Sequence, residues 1–299
     1  MTGPDFAGSS GFAPGTFADR VALVTAAGGA ICGSAAVMLG ALGAHLVLTD
    51  ADPDRLAAVA TAARGAGATV HELAGDLRDP ATVAALVELA EREHGRIDVL
   101  INGLGEHLAS AGSFEETTEE QWSELYQVNL LHVFRVTKAV LPGMKGRGYG
   151  RIVNFSSVEG IRAAPDLAVY AAFKRAVDGF TRSLAVEVAP FGVLINAVAV
   201  DKTRAHQVGH YQLPPEYQRL VPTWIPAGHY AEPDEVARIV AFLAAELNTW
   251  IVGDTIAADG GTLAAGGWYR TPQRWTNQPL LTQYLEPAEV NDARPPSLR

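Results

Sequence analysis

The chain has 299 residues with 33 acidic against 23 basic side chains, and its net charge of −10 argues against nucleic acid or an anionic membrane as partner. A hydrophobic content of 48% suffices for one sizeable core, but no apolar run is long enough to span a bilayer and no basic-then-apolar signal opens the chain, so a cytoplasmic protein is expected. The one cysteine, Cys32, excludes an intrachain disulfide and agrees with a reducing compartment.

Residues 1–17 are rich in Gly, Ser, Pro and Ala without periodicity and predict a flexible tail. Val21 to Thr25 then reads as a short buried strand, followed by a Gly/Ala turn and a helix to about Leu42. His45 to Thr49 is the second strand and ends in Asp50; Asp52-Pro53 supplies a capping oxygen and a pre-set first turn for the next helix. Thr69 to Leu73 is a third strand, Asp79-Pro80 opens a helix running toward Gly95, and Ile97 to Asn102 is a fourth strand. This alternation predicts an α/β fold: a Rossmann-like, doubly wound parallel sheet of about seven strands with helices on both faces, in one domain over residues 18–265. Thr118 to Gln121 forms a capping box for a long helix that Pro142 should stop near Leu141, with Asn129 polar among Val128, Leu130 and Leu131.

Arg151 to Ser156 predicts a buried strand that delivers Ser157 at its carboxyl end. In the helix that follows, Val177, Phe180, Leu184 and Val188 recur at three- and four-residue spacing, and Tyr170 and Lys174 near its start share one face. An ammonium one turn from a phenol favours the phenolate, and a serine hydroxyl beside them can hold a substrate oxygen; such a cluster suits proton transfer to an alcohol or carbonyl. Taken alone, such a pair far more often marks a packed tyrosine and a solvated lysine. Val193 to Ala199 is the sixth strand. Residues 200–231, which include His206, His210, Tyr211, Trp224 and His229, read as a loop with short helical pieces. Pro233 opens a last helix to about Leu247, Thr255 to Ala258 is the final strand, and residues 266–299 form an extension at the substrate pocket or a subunit interface.

The runs Ile152 to Ser157, Tyr170 to Lys174, Gly179 to Ala185 and Ile195 to Val198 resemble the short-chain dehydrogenase/reductase family, in which the serine precedes the tyrosine by thirteen positions, as here (170 − 157 = 13). The likeness extends from about Asp19 to about Gly261. It implies Asn129, Ser157, Tyr170 and Lys174 as the catalytic set, with Asn129 anchoring a water in a proton relay from Lys174. It also implies a nicotinamide dinucleotide near Thr25, Ala27, Ile31, Asp50, Asp76, Leu77, Asn102, Tyr170, Lys174 and Thr203. Family members commonly form homotetramers through the two long helices and the C-terminal strand, and the same is expected here. No His, Cys or acidic spacing suggests a metal.

The cofactor turn departs from the family's Thr-Gly-x-x-x-Gly-x-Gly: Ala26, Ala30 and Cys32 replace all three glycines, and each added Cβ threatens an unusual backbone angle or the approach of a phosphate. The family's Asn-Asn-Ala-Gly appears as Asn102-Gly103-Leu104-Gly105, Pro-Gly as Val200-Asp201, and a usual threonine as Ala205, with Thr203 near; Phe173 stands where a small residue is usual. Asp50 implies NAD over NADP, since a carboxylate binds a ribose diol and repels a 2′-phosphate; both Asp50 and Asp76 also suit a cap or turn. The expectation is an NAD(H)-dependent oxidoreductase interconverting a secondary alcohol and a ketone. The alternative is a lyase, cyclase or dehalogenase that keeps Ser157 and Tyr170 without nucleotide chemistry. Halohydrin dehalogenases have such a rebuilt turn, but they carry arginine where this chain has Lys174. Trp224, Tyr211, Trp268 and Tyr269 suit an apolar or cyclic small-molecule substrate, or equally a subunit interface.

Overall fold

β1 (Val21–Thr25) and β5 (Gly150–Ser157), buried at every position, lie inside the sheet and are covered on both faces; β1 is apolar up to Thr25, whereas β5 also buries Arg151, Asn154, Ser156 and Ser157. The computed structural model describes residues 11–108, 110–204, 218–270 and 275–276. With β2 (His45–Asp50), β3 (Val70–Ala74), β4 (Val99–Asn102), β6 (Val193–Val200) and β7 (Thr255–Ala258), they form a seven-stranded parallel sheet in the order β3-β2-β1-β4-β5-β6-β7. The order reverses between β1 and β4, so the crevice for a ligand opens beyond Thr25 and Asn102.

Helices α1 (Ala30–Ala41), α2 (Pro53–Gly65) and α7 (Pro233–Ala244) pack on one face of the sheet. On the other lie α3 (Pro80–His94), α5 (His132–Arg147) and α6 (Ala168–Val188). Asp52 and Asp79 cap α2 and α3 as their sequences require, and the reciprocal Thr118/Gln121 box opens α4 (Glu119–Tyr126). No helix among the described residues is long and apolar enough to cross a membrane.

Three expectations are corrected. The single helix ending at Pro142 is α4 and α5 joined by a π-helical turn, Gln127–Leu131, and it continues through Pro142 to Arg147. Met144, fully buried, holds the last turn in the core, and Gly148 at φ +69° ends it, so packing outweighs the hydrogen bond that Pro142 removes. Phe17, expected at the end of the tail, is buried and its N–H donates to Leu42 O at 2.9 Å. The last helix stops at Ala244, leaving Leu247 exposed. Of the C-terminal extension, the described part includes a two-stranded ribbon, β8 (Tyr269–Arg270) with β9 (Trp275–Thr276); the rest, and residues 1–10, lie outside the described residues.

Candidate active site

β5 ends at Ser157, whose Oγ accepts from Glu159 N at 3.2 Å, and Tyr170 and Lys174 sit one turn apart at the start of α6. Ser157 lies near enough to the Tyr170 hydroxyl to favour its ionised form, so the three residues converge as their spacing predicts. Burial pushes the phenol up to about 12 and the Glu159 and Glu106 carboxylates act in the same direction, while the nearby Ser157 hydroxyl opposes them. The expected lowering by Lys174 is not found. Its Nζ donates to Phe155 O at 3.3 Å and stands 5.7 Å from the Tyr170 ring centroid. Burial lowers the Lys174 amine to about 8, against the pull of Asp178.

Asn129 lies in the π-helical turn. Its Nδ2 donates to Glu106 O at 2.8 Å and Leu125 O at 3.1 Å, and its Oδ1 accepts from Glu106 N at 3.0 Å. The side chain therefore clamps the loop after β4. A methyl on Gly105 would overlap Lys174 Nζ and come within 3.2 Å of Asn129 Oδ1, so Gly105 is what admits the ammonium. Gly105, like Asn102, keeps the family's residue in the Asn102–Gly105 run, and only the packed structure shows what it makes room for.

At the other end of the crevice lies the turn between β1 and α1. Ala26 adopts φ +52°, a left-handed angle that costs a residue with a Cβ about 1–2 kcal/mol. Cys32 is buried, and its thiol is pushed up to about 12 by that burial. A methyl on Gly103 would overlap Cys32 Sγ and lie 2.8 Å from Thr25 O. The sulfur thus occupies space vacated by the missing side chain at 103: two departures from the family pattern fit each other inside the fold. The N-terminus of α1 has Gly29 as its cap residue, no side-chain cap and no acid in its first turn, and Ala30 and Ile31 there are partly exposed. Such an end suits a diphosphate, so this crevice fits a dinucleotide.

Several residues named for the cofactor are scaffold in their side chains. Thr25 Oγ1 donates to Ile101 O at 3.1 Å and accepts from Gly103 N at 2.9 Å, tying β1 to β4. Asn102 Nδ2 bonds Thr137 at 3.2 Å and Asn154 at 2.8 Å; Ala27 and Leu77 are buried in the core. Asp50 closes β2, and its two oxygens accept from Gly28 N and Asp52 N, each at 2.9 Å. Asp76 pairs with Arg78, which holds its carboxyl below the usual range. Thr203 is buried and donates to Asp201 O at 3.3 Å.

Asp201 does not open into the crevice. Its carboxylate takes Thr262 Oγ1 at 2.6 Å and Arg162 at 3.3 Å, and Arg162 also grips Glu159. Phe173 stacks toward Tyr126, 5.7 Å between centroids, in a small cluster with Leu130, Val133 and Val177, away from the Tyr170 and Lys174 heads. His229 pairs with Glu235, whereas Ala205, His206, His210 and Tyr211 lie outside the described residues. Trp268 is half exposed and Trp224 and Tyr269 are partly buried. Among the described residues no group of His, Cys, Asp and Glu could hold a metal.

A parallel sheet with a Ser, Tyr and Lys at its carboxyl edge and an uncapped helix N-terminus beside them defines a Rossmann-like class of protein. The family described as Enoyl-(Acyl carrier protein) reductase matches residues 26–262. Oxidoreductase UcpA of Escherichia coli (strain K12) is 34% identical over 255 residues, 83% of this chain and 96% of the relative. The 3-oxoacyl-(acyl-carrier-protein) reductase FabG of Vibrio cholerae is 34% identical over 254 residues, 81% of this chain and 96% of the relative. Among solved structures, levodione reductase superposes with a TM-score of 0.78 at 33% identity, covering 83% of this chain and 99% of that one. The chain belongs to the short-chain dehydrogenase/reductase family of oxidoreductases.

Proposed function

We propose that the protein is an NAD(H)-dependent oxidoreductase interconverting a secondary alcohol and a ketone, cytoplasmic as its lone reduced cysteine suggests. The observation that carries this reading is the convergence of Ser157, Tyr170 and Lys174 beside the crevice that fits a dinucleotide. A bound nicotinamide supplies or takes the hydride; this chain handles the oxygen and the proton. Ser157 Oγ holds the substrate oxygen. Tyr170 Oη gives that oxygen a proton in reduction and takes one in oxidation. Lys174, buried and fixed to Phe155 O, holds a positive charge beside the phenol and replenishes its proton, with Asn129 shaping the exit of the relay through the 104–106 loop. The α1 N-terminus with Ala30 and Ile31 would receive the diphosphate, and Asp50 would hold the adenosine ribose.

The preference for NAD over NADP rests on Asp50, because a 2′-phosphate beside that carboxylate meets like charge. Fluorescence or thermal-shift titration tests it. A ligand at a hundred times its Kd stabilises by about 2.7 kcal/mol, so NADH should raise Tm measurably and NADPH less. Silence toward both nucleotides would favour the non-redox alternative, whose main ground, the crowded turn, is weakened by the fit of Cys32 against Gly103.

A homotetramer is part of the same proposal. The outer faces of α5 and α6 form an apolar groove lined by Phe134, Leu141, Pro142, Phe180 and Leu184, and Trp250 stands 93% exposed just before the edge strand β7. Light scattering at four chain masses is expected. A monomer at micromolar concentration would refute this.

A further inference from the structure

We infer that Arg162 is a positioning residue of this site: it clips the Glu159 and Asp201 side chains together, holds in place the two backbone segments between which the Ser157 hydroxyl sits, and balances the carboxylate charge that acts on Tyr170. The inference rests on the alcohol–ketone reading above and adds to it a residue outside the Ser157, Tyr170 and Lys174 set.

Ser157 closes β5 opposite Val200, the last residue of β6. Its Oγ accepts from Glu159 N at 3.2 Å on one side and lies 3.5 Å from Val200 O on the other. The hydroxyl is therefore placed by the backbone at Glu159 and at Val200, and Arg162 joins these two segments through side chains. Its Nε and Nη2 donate to the two Glu159 oxygens, each at 3.1 Å, and Nη2 also reaches Asp201 Oδ1 at 3.3 Å. A bidentate fork fixes the angle between its partners as well as their distance. Asp201 is itself anchored, because its other oxygen accepts from Thr262 Oγ1 at 2.6 Å and its side chain is 5% exposed.

The turn that carries Arg162 is fixed at both ends. Ile161 N and Arg162 N donate to Val158 O at 2.9 and 2.8 Å. A methyl on Gly160 would come within 2.9 Å of Arg175 N and 3.2 Å of Lys174 Cβ, so the turn lies against α6 at Lys174. The charges around the clip are unequal. Glu159, Asp201 and Asp259 act on Arg162, Tyr230 feels Asp201, and Glu159 and Glu106 act on the Tyr170 phenol. Arg162 is the cation paired with Glu159. A Glu159 carboxylate left bare would oppose more strongly the phenolate that oxidation of an alcohol must form.

The test follows oxidation of cyclohexanol against pH, with whichever of NAD or NADP the wild type binds, in wild type, Arg162→Met, Arg162→Lys, Glu159→Gln and the double variant Arg162→Met/Glu159→Gln. Arg162→Met should lower kcat/KM about tenfold at neutral pH. It should also move the rise of kcat to higher pH by about 0.5 to 1. Adding Glu159→Gln should bring that rise back to the wild-type pH or below it, which a merely structural arginine would not do. Arg162→Lys, with the charge but not the fork, should keep the wild-type pH dependence and lose part of kcat/KM. Wild-type kinetics in Arg162→Met, a loss with an unmoved profile, or a moved profile that survives Glu159→Gln would overturn the assignment. NMR of protein carrying tyrosine isotope-labelled at Cζ needs no substrate: the Tyr170 signal, identified by its absence in Tyr170→Phe, should move in Arg162→Met. A wild type inert toward cyclohexanol would count against the alcohol–ketone reading alone, and the Tyr170 signal then decides the clip, which an unmoved signal would overturn.

Discussion

Tyr170→Phe should reduce turnover by about 10²- to 10⁴-fold, the range a positioned general acid or base contributes, while leaving the fold and nucleotide binding intact. The change removes one hydroxyl, and the ring keeps its edge contact with His107, so little packing is lost. Unchanged Tm with collapsed kcat separates chemistry from stability. Burial pushes the phenol up to about 12 and the amine down to about 8, so at neutral pH Tyr170 holds its proton and Lys174 its charge. That state is ready to protonate a ketone, and oxidation should therefore accelerate with rising pH as the phenol is more easily deprotonated. A Tyr170→Phe enzyme with wild-type kcat would remove Tyr170 from the reaction.

Gly103→Ala should be the more damaging substitution for the fold. Its methyl overlaps Cys32 Sγ and lies 2.8 Å from Thr25 O, both residues being buried, and overpacking of this kind costs about 1–3 kcal/mol. Removing the sulfur in Cys32→Gly should return part of that loss. The Thr25 carbonyl contact remains, so the rescue is incomplete. Denaturant unfolding of the two single variants and the double variant measures the coupling, expected at about 0.5–3 kcal/mol for residues in direct contact. Additive effects would show that Cys32 and Gly103 do not share the space. Nucleotide affinity in Cys32→Gly should stay close to wild type, since the sulfur faces Gly103 inside the fold.

Strand identity, the parallel class and the helix starts were legible in the chain because each has a local cause: continuous apolar runs such as Val21 to Thr25, and capping oxygens at Asp52, Asp79 and Thr118. The Ser157, Tyr170 and Lys174 spacing was legible for the same reason, since a strand end and one helical turn fix it. Helix ends were less so. Whether Pro142 stops a helix depends on Met144 finding a core place to hold the last turn, which is not written in the neighbouring residues.

What the sequence determined by itself was the fold class and the order of chemical groups along it, because backbone periodicity and capping act within a few residues. What only the tertiary structure decided was how those groups bear on one another. Cys32 meets Gly103 across 71 positions (103 − 32 = 71), and Asn129 reaches back to Glu106. The Tyr170 phenol is governed by burial and two carboxylates more than by the ammonium one turn away. Burial and close approach are properties of the packed chain, and no local pattern carries them.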